Sequence, residues 1–363
     1  MQARAPQDIR ITDTIAGSVT ITKTNTAQWE LRQRFLGDKA DNAQNPTWVK
    51  IENPGGKREI EIVLLWADRE WPHWRGFGYR KIGADYFSVR GEAVPESTTY
   101  RFEVPEGVSW FGATPWYTND DTERFLKKMG SVAVGQARVI GKTAQGRPIH
   151  CLTLGKERGP RGNVVVHART HATEPAGSFA VEGIADFLLH TRPGKNLLRK
   201  YQFHLFPNVN PDGVEAGLKL TRRGSRDKYD ISVVTMSSAD ATMVALREEM
   251  QRLRPACFMD YHSYLQVTPG FFFYDAAFGL AAQRELLRGR TEEAGLYVRW
   301  LLPTGKFRQN QLTTHCHLEY GTTVALFELS WNFGLLPADV SRAGVDLFRA
   351  VMKAHARRTV SRS

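Results

Sequence analysis

Cysteine is scarce in this chain. Its 363 residues include three, Cys151, Cys257 and Cys316, set far apart and with no CxxC pair. An odd, scattered set argues against a disulfide framework and predicts buried free thiols in a reducing compartment. Long apolar runs are lacking too: stretches such as Val324–Leu329 fall far short of the roughly 20 residues a membrane helix needs. Met1 to Thr14 carry charges and a proline without an apolar core, so no secretory signal is expected there. Internal repeats and low-complexity linkers are also missing. A cytoplasmic protein without membrane association is the expectation.

What is present is a globular composition, 42% hydrophobic and 24% charged residues, which excludes a disordered chain or a collagen-like repeat. At roughly 100–200 residues per domain, the length predicts two domains, each able to bury a core. The charge is lopsided. Lys and Arg number 49 against 38 Asp and Glu, a net of +11. Residues 1–100 hold 14 basic and 13 acidic side chains, and the remainder hold 35 and 25. The excess belongs to the second part of the chain, where an anionic partner is to be sought. A nucleic acid is not expected. The basic residues are dispersed, no binding motif is recognisable, and the basic Lys353–Ser363 stretch reads as a solvated helix end.

The first 117 residues read as a β-sandwich. Short, often alternating segments (Ile9–Ile15, Gly17–Thr24, Trp29–Phe35, Thr47–Glu52, Arg58–Trp66, Tyr86–Arg90, Thr98–Val104) are separated by turn signals such as Asn53-Pro54-Gly55-Gly56. Beyond Trp116 the pattern changes. Strand-like runs, among them Asn163–His167, Tyr201–Phe206, Cys257–Tyr261 and Thr323–Leu329, alternate with helical stretches at Ala176–His190, Ser238–Leu253, Ala276–Ala294 and Pro337–Arg357. This alternation predicts an α/β domain over residues 118–363, with a mixed, mostly parallel sheet.

Three strand ends in that domain carry reactive groups. Asn163-Val-Val-Val-His-Ala-Arg-Thr-His171-Ala-Thr-Glu174-Pro175 is a strand, a loop and then a helix whose first turn accommodates the proline. His171 and Glu174 therefore sit at the mouth of the sheet, and they supply two of the three protein ligands of a His₂Glu zinc site. Alone, the pair also fits a surface loop with a capping glutamate. Cys257-Phe-Met-Asp-Tyr-His262 delivers a third candidate at the carboxyl end of an apolar strand, where α/β sheets bind their ligands. His167 and His204 lie inside strands and are expected to be buried and hydrogen-bonded. Glu328, near the end of the apolar strand Thr323–Leu329, is costly to bury without a partner or a task. Beside a zinc ion it has one, taking a proton from water and returning it to the leaving amine.

With these residues in place the sequence resembles the zinc carboxypeptidase family, and within it the cytosolic carboxypeptidase-like subgroup. Five motifs occur in the family's order: Val139–Ile149, Ala168-Arg-Thr-His171-Ala-Thr-Glu174, Pro207-Asn-Val-Asn-Pro-Asp-Gly-Val214, Asp260-Tyr-His262-Ser and Phe327-Glu328-Leu. Thr114-Pro-Trp-Tyr-Thr118 resembles the end of the β-sandwich that precedes the catalytic domain in that subgroup. The resemblance implies an N-terminal antiparallel β-sandwich followed by an α/β/α catalytic domain. It also implies one Zn2+ per chain on His171, Glu174 and His262, and hydrolysis of a peptide or isopeptide bond at a substrate's C-terminus. Glu328 would be the general base. An arginine after the Asn-Pro-Asp-Gly loop would stabilise the oxyanion, which points to Arg222 or Arg223.

The sequence departs from the family at the Asp-x-Asn-Arg run that grips the substrate carboxylate. Here the stretch reads Arg222-Arg-Gly-Ser-Arg226-Asp227-Lys228-Tyr229-Asp230. Arg226, Asp227 and Lys228 are candidates for that clamp, although a lysine cannot replace a bidentate arginine geometrically. His315 and His317, just before the Glu328 strand, are further substrate-binding candidates. The leading expectation is a metallocarboxypeptidase whose basic domain favours acidic C-terminal residues. The altered Asn-Arg run leaves open a zinc-dependent N-acyl amino acid deacylase or related amidohydrolase on the same scaffold. The sequence does not indicate the oligomeric state.

Overall fold

The structure, a computed structural model, describes residues 8–15, 18–34, 47–67, 76–130, 135–155, 162–222, 240–264, 270–273, 276–288, 300–303, 311–330 and 334–360. The N-terminal part contains strands β1 (Arg10–Asp13), β2 (Val19–Lys23), β3 (Gln28–Gln33), β4 (Trp48–Asn53), β5 (Arg58–Leu65), β6 (Phe77–Ile82), β7 (Asp85–Arg90), β8 (Glu92–Val94), β9 (Ser97–Val104) and β10 (Gly107–Gly112). They form two five-stranded sheets, ordered β1-β4-β10-β6-β7 and β2-β3-β5-β9-β8. Alternation explains the sandwich. In β5 and β9 every second residue is buried, and Ile60, Ile62, Leu64, Tyr100 and Phe102 meet Val49, Ile51 and Phe111 of the opposite sheet in one core. Pairing is antiparallel except between β3 and β5, which run parallel.

The C-terminal part opens with α1 (Asn119–Gly130), followed by β11 (Gly135–Lys142), β12 (Pro148–Leu154), β13 (Asn163–Ala168), α2 (Ala176–His190), α3 (Arg192–Leu198), β14 (Gln202–Phe206) and α4 (Pro211–Ala216). Then come α5 (Ala241–Leu253), β15 (Cys257–Tyr264), β16 (Gly270–Phe273), α6 (Ala276–Leu287), β17 (Trp300–Pro303), α7 (Leu312–Tyr320), β18 (Thr323–Ser330) and α8 (Pro337–Val360). The eight-stranded sheet is ordered β11-β12-β14-β13-β15-β18-β16-β17, and its central run β14-β13-β15-β18 is parallel.

Helices cover both faces, as a parallel sheet buried on both sides requires. On one face Val164, Val166, Met259 and Phe327 pack against Ala180 and Ile184 of α2 and Phe348 and Val351 of α8. Gly177 and Gly344 allow close approach there, since a Cβ on Gly177 would lie 2.4 Å from the Tyr261 carbonyl oxygen. On the other face Val165, Phe258 and Val324 pack against Leu246 and Met250 of α5 and Leu312 and Cys316 of α7. The three cysteines are free and buried. Among the described residues no helix is long and apolar enough to cross a membrane.

A smaller cluster joins the two parts. Trp48 and Tyr79 of the sandwich and Trp116 of the connecting segment pack with Ala172 and Val214. Phe179 of α2 receives the rings of Tyr86 and Tyr117 edge-on, at centroid distances of 5.9 and 5.2 Å.

Candidate metal centre

Three strand ends converge at the carboxyl edge of the sheet. β13 pairs with β15 and β15 with β18, all parallel, so the segments that follow β13 and the ends of β15 and β18 emerge side by side. After Ala168 the chain turns through Arg169, at φ +70, into the His171–Glu174 loop, and Pro175 at φ −73 starts α2. His171 Nδ1 lies 2.8 Å from Glu174 Oε1, His262 Nδ1 lies 2.9 Å from Glu174 Oε2, and the two Nδ1 atoms are 3.3 Å apart. The Ser263 backbone N–H also donates to Glu174 Oε2 at 3.2 Å.

Three ligand-type side chains thus gather within 4.8 Å of one another. Two imidazole nitrogens facing each other beside a buried carboxylate demand a shared cation or proton. Two nitrogens at zinc's usual 2.0–2.1 Å on a tetrahedral ion stand about 3.3 Å apart, so the donor set and its spacing suit zinc.

A second layer holds the ligands. Asp260 is buried, with Oδ2 3.0 Å from His262 Nε2 and Oδ1 2.8 Å from His167 Nε2, and the Thr170 hydroxyl donates to Oδ1 at 3.2 Å. Asp260 thereby faces the far nitrogen of His262 as an ion-pair partner, while Nδ1 faces the cluster. Burial works to raise the Glu174 and Asp260 carboxyls, but the histidines facing them outweigh it and hold both well below the ordinary range. Burial opposes the charged form of His262, yet Asp260 and Glu174 raise its pKa well above the usual value.

Glu328 stands in register with His262 across the β15–β18 pair. Among the described residues its buried Oε2 has no hydrogen-bond partner. Burial, followed by the Glu174 charge, pushes its carboxyl up to about 7, with His262, His171 and Lys219 pulling the other way.

The Asn-Pro-Asp-Gly loop builds the flank. Asn210 caps α4 by accepting the Gly213 N–H at 3.0 Å, and Gly217 ends the helix at φ +64. Buried Asp212 accepts from the Thr143 hydroxyl at 2.8 Å, the Gln145 N–H at 3.2 Å and Arg147 Nη1 at 2.8 Å, which joins the Val139–Ile149 motif to the loop. The chain then returns beside the ligands, where the Ala172 N–H donates to the Lys219 carbonyl at 2.9 Å. Lys219, not a site candidate from the sequence, is a described cation whose charge lowers the Glu328 pKa. Arg222 is exposed, three residues further on. Arg223, Arg226, Asp227 and Lys228 lie outside the described residues.

His315 and His317 were expected to bind substrate. Both lie on α7, which precedes β18, and His317 Nδ1 is 2.9 Å from the Thr322 carbonyl oxygen at the start of that strand. Six residues of extended chain, about 20 Å, separate Thr322 from Glu328. His315 packs edge-on against Tyr320, at a ring-centroid distance of 5.7 Å. A helix returning antiparallel to its strand carries its last turn away from the strand's carboxyl end. This places His317 away from the His171, Glu174 and His262 cluster.

Arg169 drew no attention in the sequence. It is fully buried, donates from Nη2 to the Tyr117 carbonyl at 2.9 Å and lies over the Trp116 ring at 4.8 Å. Burial pulls its pKa down to about 9, which leaves it charged at neutral pH.

Comparison with known proteins places this arrangement. Residues 133–240 match the zinc carboxypeptidase family model. Cytosolic carboxypeptidase 2 of Xenopus tropicalis is 32% identical over 162 residues, 39% of this chain and 17% of that protein. The Danio rerio protein of the same name is 30% identical over 161 residues, 39% of this chain and 22% of that protein. The chain thus spans about a fifth of the length of these curated relatives. A metallo-carboxypeptidase from Burkholderia cenocepacia superposes with a TM-score of 0.79 over 97% of this chain and all of its own, at 16% identity. One from Pseudomonas aeruginosa gives 0.75 over 96% of this chain and all of its own, at 17% identity. Residues 133–240 are thus similar to the zinc carboxypeptidase family, and the fold over nearly the whole length is similar to that of these two metallo-carboxypeptidase structures.

Proposed function

We propose that the protein is a zinc-dependent metallocarboxypeptidase that removes residues from the C-terminus of a peptide or protein, with residues 118–363 as catalytic domain and residues 1–117 as a preceding β-sandwich. The convergence of His171 Nδ1, His262 Nδ1 and the Glu174 carboxylate, with Glu328 in register beside them, carries this reading. His171, Glu174 and His262 would hold one zinc ion, which when bound supplies a Lewis acid and makes its water more acidic. Asp260 holds His262 from behind. Glu328, with its carboxyl near neutrality, accepts a proton from the attacking water and passes it to the leaving amine.

Lys219 and the basic segment that follows it supply the positive field for a terminal carboxylate and support a preference for acidic C-terminal residues. Arg222 and Arg223 remain our candidates for oxyanion stabilisation, and Arg226, Asp227 and Lys228 for the carboxylate clamp. A cytoplasmic location belongs to the same proposal, supported by relatives named cytosolic carboxypeptidases.

The test is a panel of peptides with varied C-terminal residues, each paired with its C-terminal amide, assayed with and without a chelator. Chelator-sensitive release from the free acids alone is the expected result. Cleavage of N-acyl amino acids with the peptides left intact would instead select the deacylase reading.

A further inference from the structure

A buried arginine without a carboxylate partner is expensive, because a guanidinium carries five donors and a charge that water no longer solvates. Arg169 is such a residue. Among the described residues it forms no ion pair, its Nε and Nη1 have no hydrogen-bond partner, and it is 0% exposed. Its backbone lies in the left-handed region, which a β-carbon disfavours. A fold that retains both costs two residues before His171 obtains something from this side chain.

The contacts of Arg169 show what that is. Its guanidinium reaches away from the sheet to the segment joining the two parts of the chain, taking the Tyr117 carbonyl as acceptor and the Trp116 ring as a face. That segment is held from the sandwich side by the Tyr86 hydroxyl, which donates to the Trp116 carbonyl at 3.1 Å, and by packing against Trp48 and Tyr79. It is held from the catalytic side by the Tyr117 hydroxyl, which donates to Glu182 of α2 at 2.6 Å. On the other side of Arg169 the turn sets Thr170 onto Asp260 and brings His171 to Glu174. The side chain therefore ties the loop bearing two of the three metal-type ligands to the seat of the β-sandwich.

We propose that Arg169 is a positioning residue for the metal ligands, through which the seating of the N-terminal β-sandwich on Trp116–Tyr117 fixes the His171–Glu174 loop. The inference rests on the zinc reading above, but it concerns metal affinity rather than turnover. Removing the guanidinium frees the loop to sample other turns, and the ligand set must then be reassembled each time the ion binds. Loss of a group that holds ligands typically weakens metal affinity 10–100-fold.

The experiment measures zinc affinity of the full-length protein by competition with a chromogenic chelator, alongside circular dichroism and peptide turnover. Arg169→Met should fold and bind zinc at least tenfold more weakly than wild type. Arg169→Lys, which keeps the charge and one donor for Tyr117 without the planar fork, should fall between them and guards against a methionine variant that does not fold. Arg169→Gly relieves the left-handed backbone while removing the side chain. It should bind zinc as weakly as the methionine variant if the guanidinium rather than the turn is what matters. A destabilising control in the buried core at the far end of α2 from Glu174, Leu188→Ala, should keep wild-type affinity. Folded lysine and glycine variants that bind zinc as tightly as wild type overturn the inference. Wild-type protein that binds zinc but cleaves no peptide overturns the proposed function and leaves this inference standing.

Discussion

His262 and Glu328 are cross-strand partners, their Cα atoms in register on the adjacent parallel strands β15 and β18. Their spacing is that of neighbouring strands, about 4.8 Å, and is set by backbone hydrogen bonds rather than by a loop. A slip of one residue in either strand would turn one of the two side chains to the opposite face. The proposed metal ligand and the proposed proton acceptor beside it are therefore held by paired strands of the central sheet.

That rigidity makes Glu328→Gln a clean test. The amide is nearly isosteric and the strand is anchored on both sides, so the ligand triad should persist. The variant should retain wild-type zinc content and lose turnover by about 10²–10⁴-fold, the contribution of a positioned general base. Retained turnover with full zinc occupancy would remove Glu328 from the mechanism.

The proposed ligands and proton acceptor stood out in the sequence because they lie on or just after apolar strands, where burying a polar group is costly unless it has a partner or a task. α2 was legible from its apolar spacing, and its observed start at Ala176 coincides with the expectation. Shorter elements escaped notice. α3, α4 and α7 have seven, six and nine residues, too few for helical periodicity to show. Their ends were nonetheless written in the sequence, as Thr191 before Pro193 and Asn210 before Pro211. β6 escaped because Gly78 interrupts its alternation, and the structure gives the reason: a Cβ there would lie 2.8 Å from the Phe111 ring. The parallel β3–β5 pairing, the burial of Arg169 and the placement of His317 depend on contacts distant in sequence, which local patterns do not encode.

Asp260 provides a second prediction. It stands between His167 and His262, 2.8 and 3.0 Å from their Nε2 atoms, where its charge would hold the His262 ring. Asp260→Asn keeps the volume but halves the acceptor capacity and removes the charge. Zinc affinity should fall about 10–100-fold, read by chelator competition, with the protein still folded. Unchanged affinity would mean that packing alone fixes the ring.

Glu182 links stability to pH. Burial pushes its carboxyl up to about 7 from an ordinary value of 4.5, against the lowering effect of the Tyr117 hydroxyl bound to it. Between these values the folded protein holds a proton that the unfolded chain has released. Stability from this group is therefore lost as pH rises from about 4.5 to about 7, by on the order of 3 kcal/mol. Glu182→Gln keeps an acceptor for Tyr117 and removes the titration. Urea unfolding at pH 5 and pH 7.5 should show wild type losing stability relative to the variant, and a constant difference between the two would refute the assignment.

Lys219 acts on Glu328 through space. Its carbonyl is fixed by the Ala172 N–H at 2.9 Å, so the segment runs alongside the ligand loop, and its charge lowers the Glu328 pKa. Lys219→Met preserves the aliphatic stem and deletes the charge. Glu328 should then hold its proton to higher pH, and the acid limb of kcat/KM should move upward by several tenths of a unit. At pH 6 the variant should be slower than wild type by about two- to fivefold, with the difference narrowing toward pH 8, since a shift of one unit corresponds to a tenfold change in the ionisation equilibrium. A loss that is the same at every pH would instead assign Lys219 to substrate binding alone, with no action on the proton acceptor.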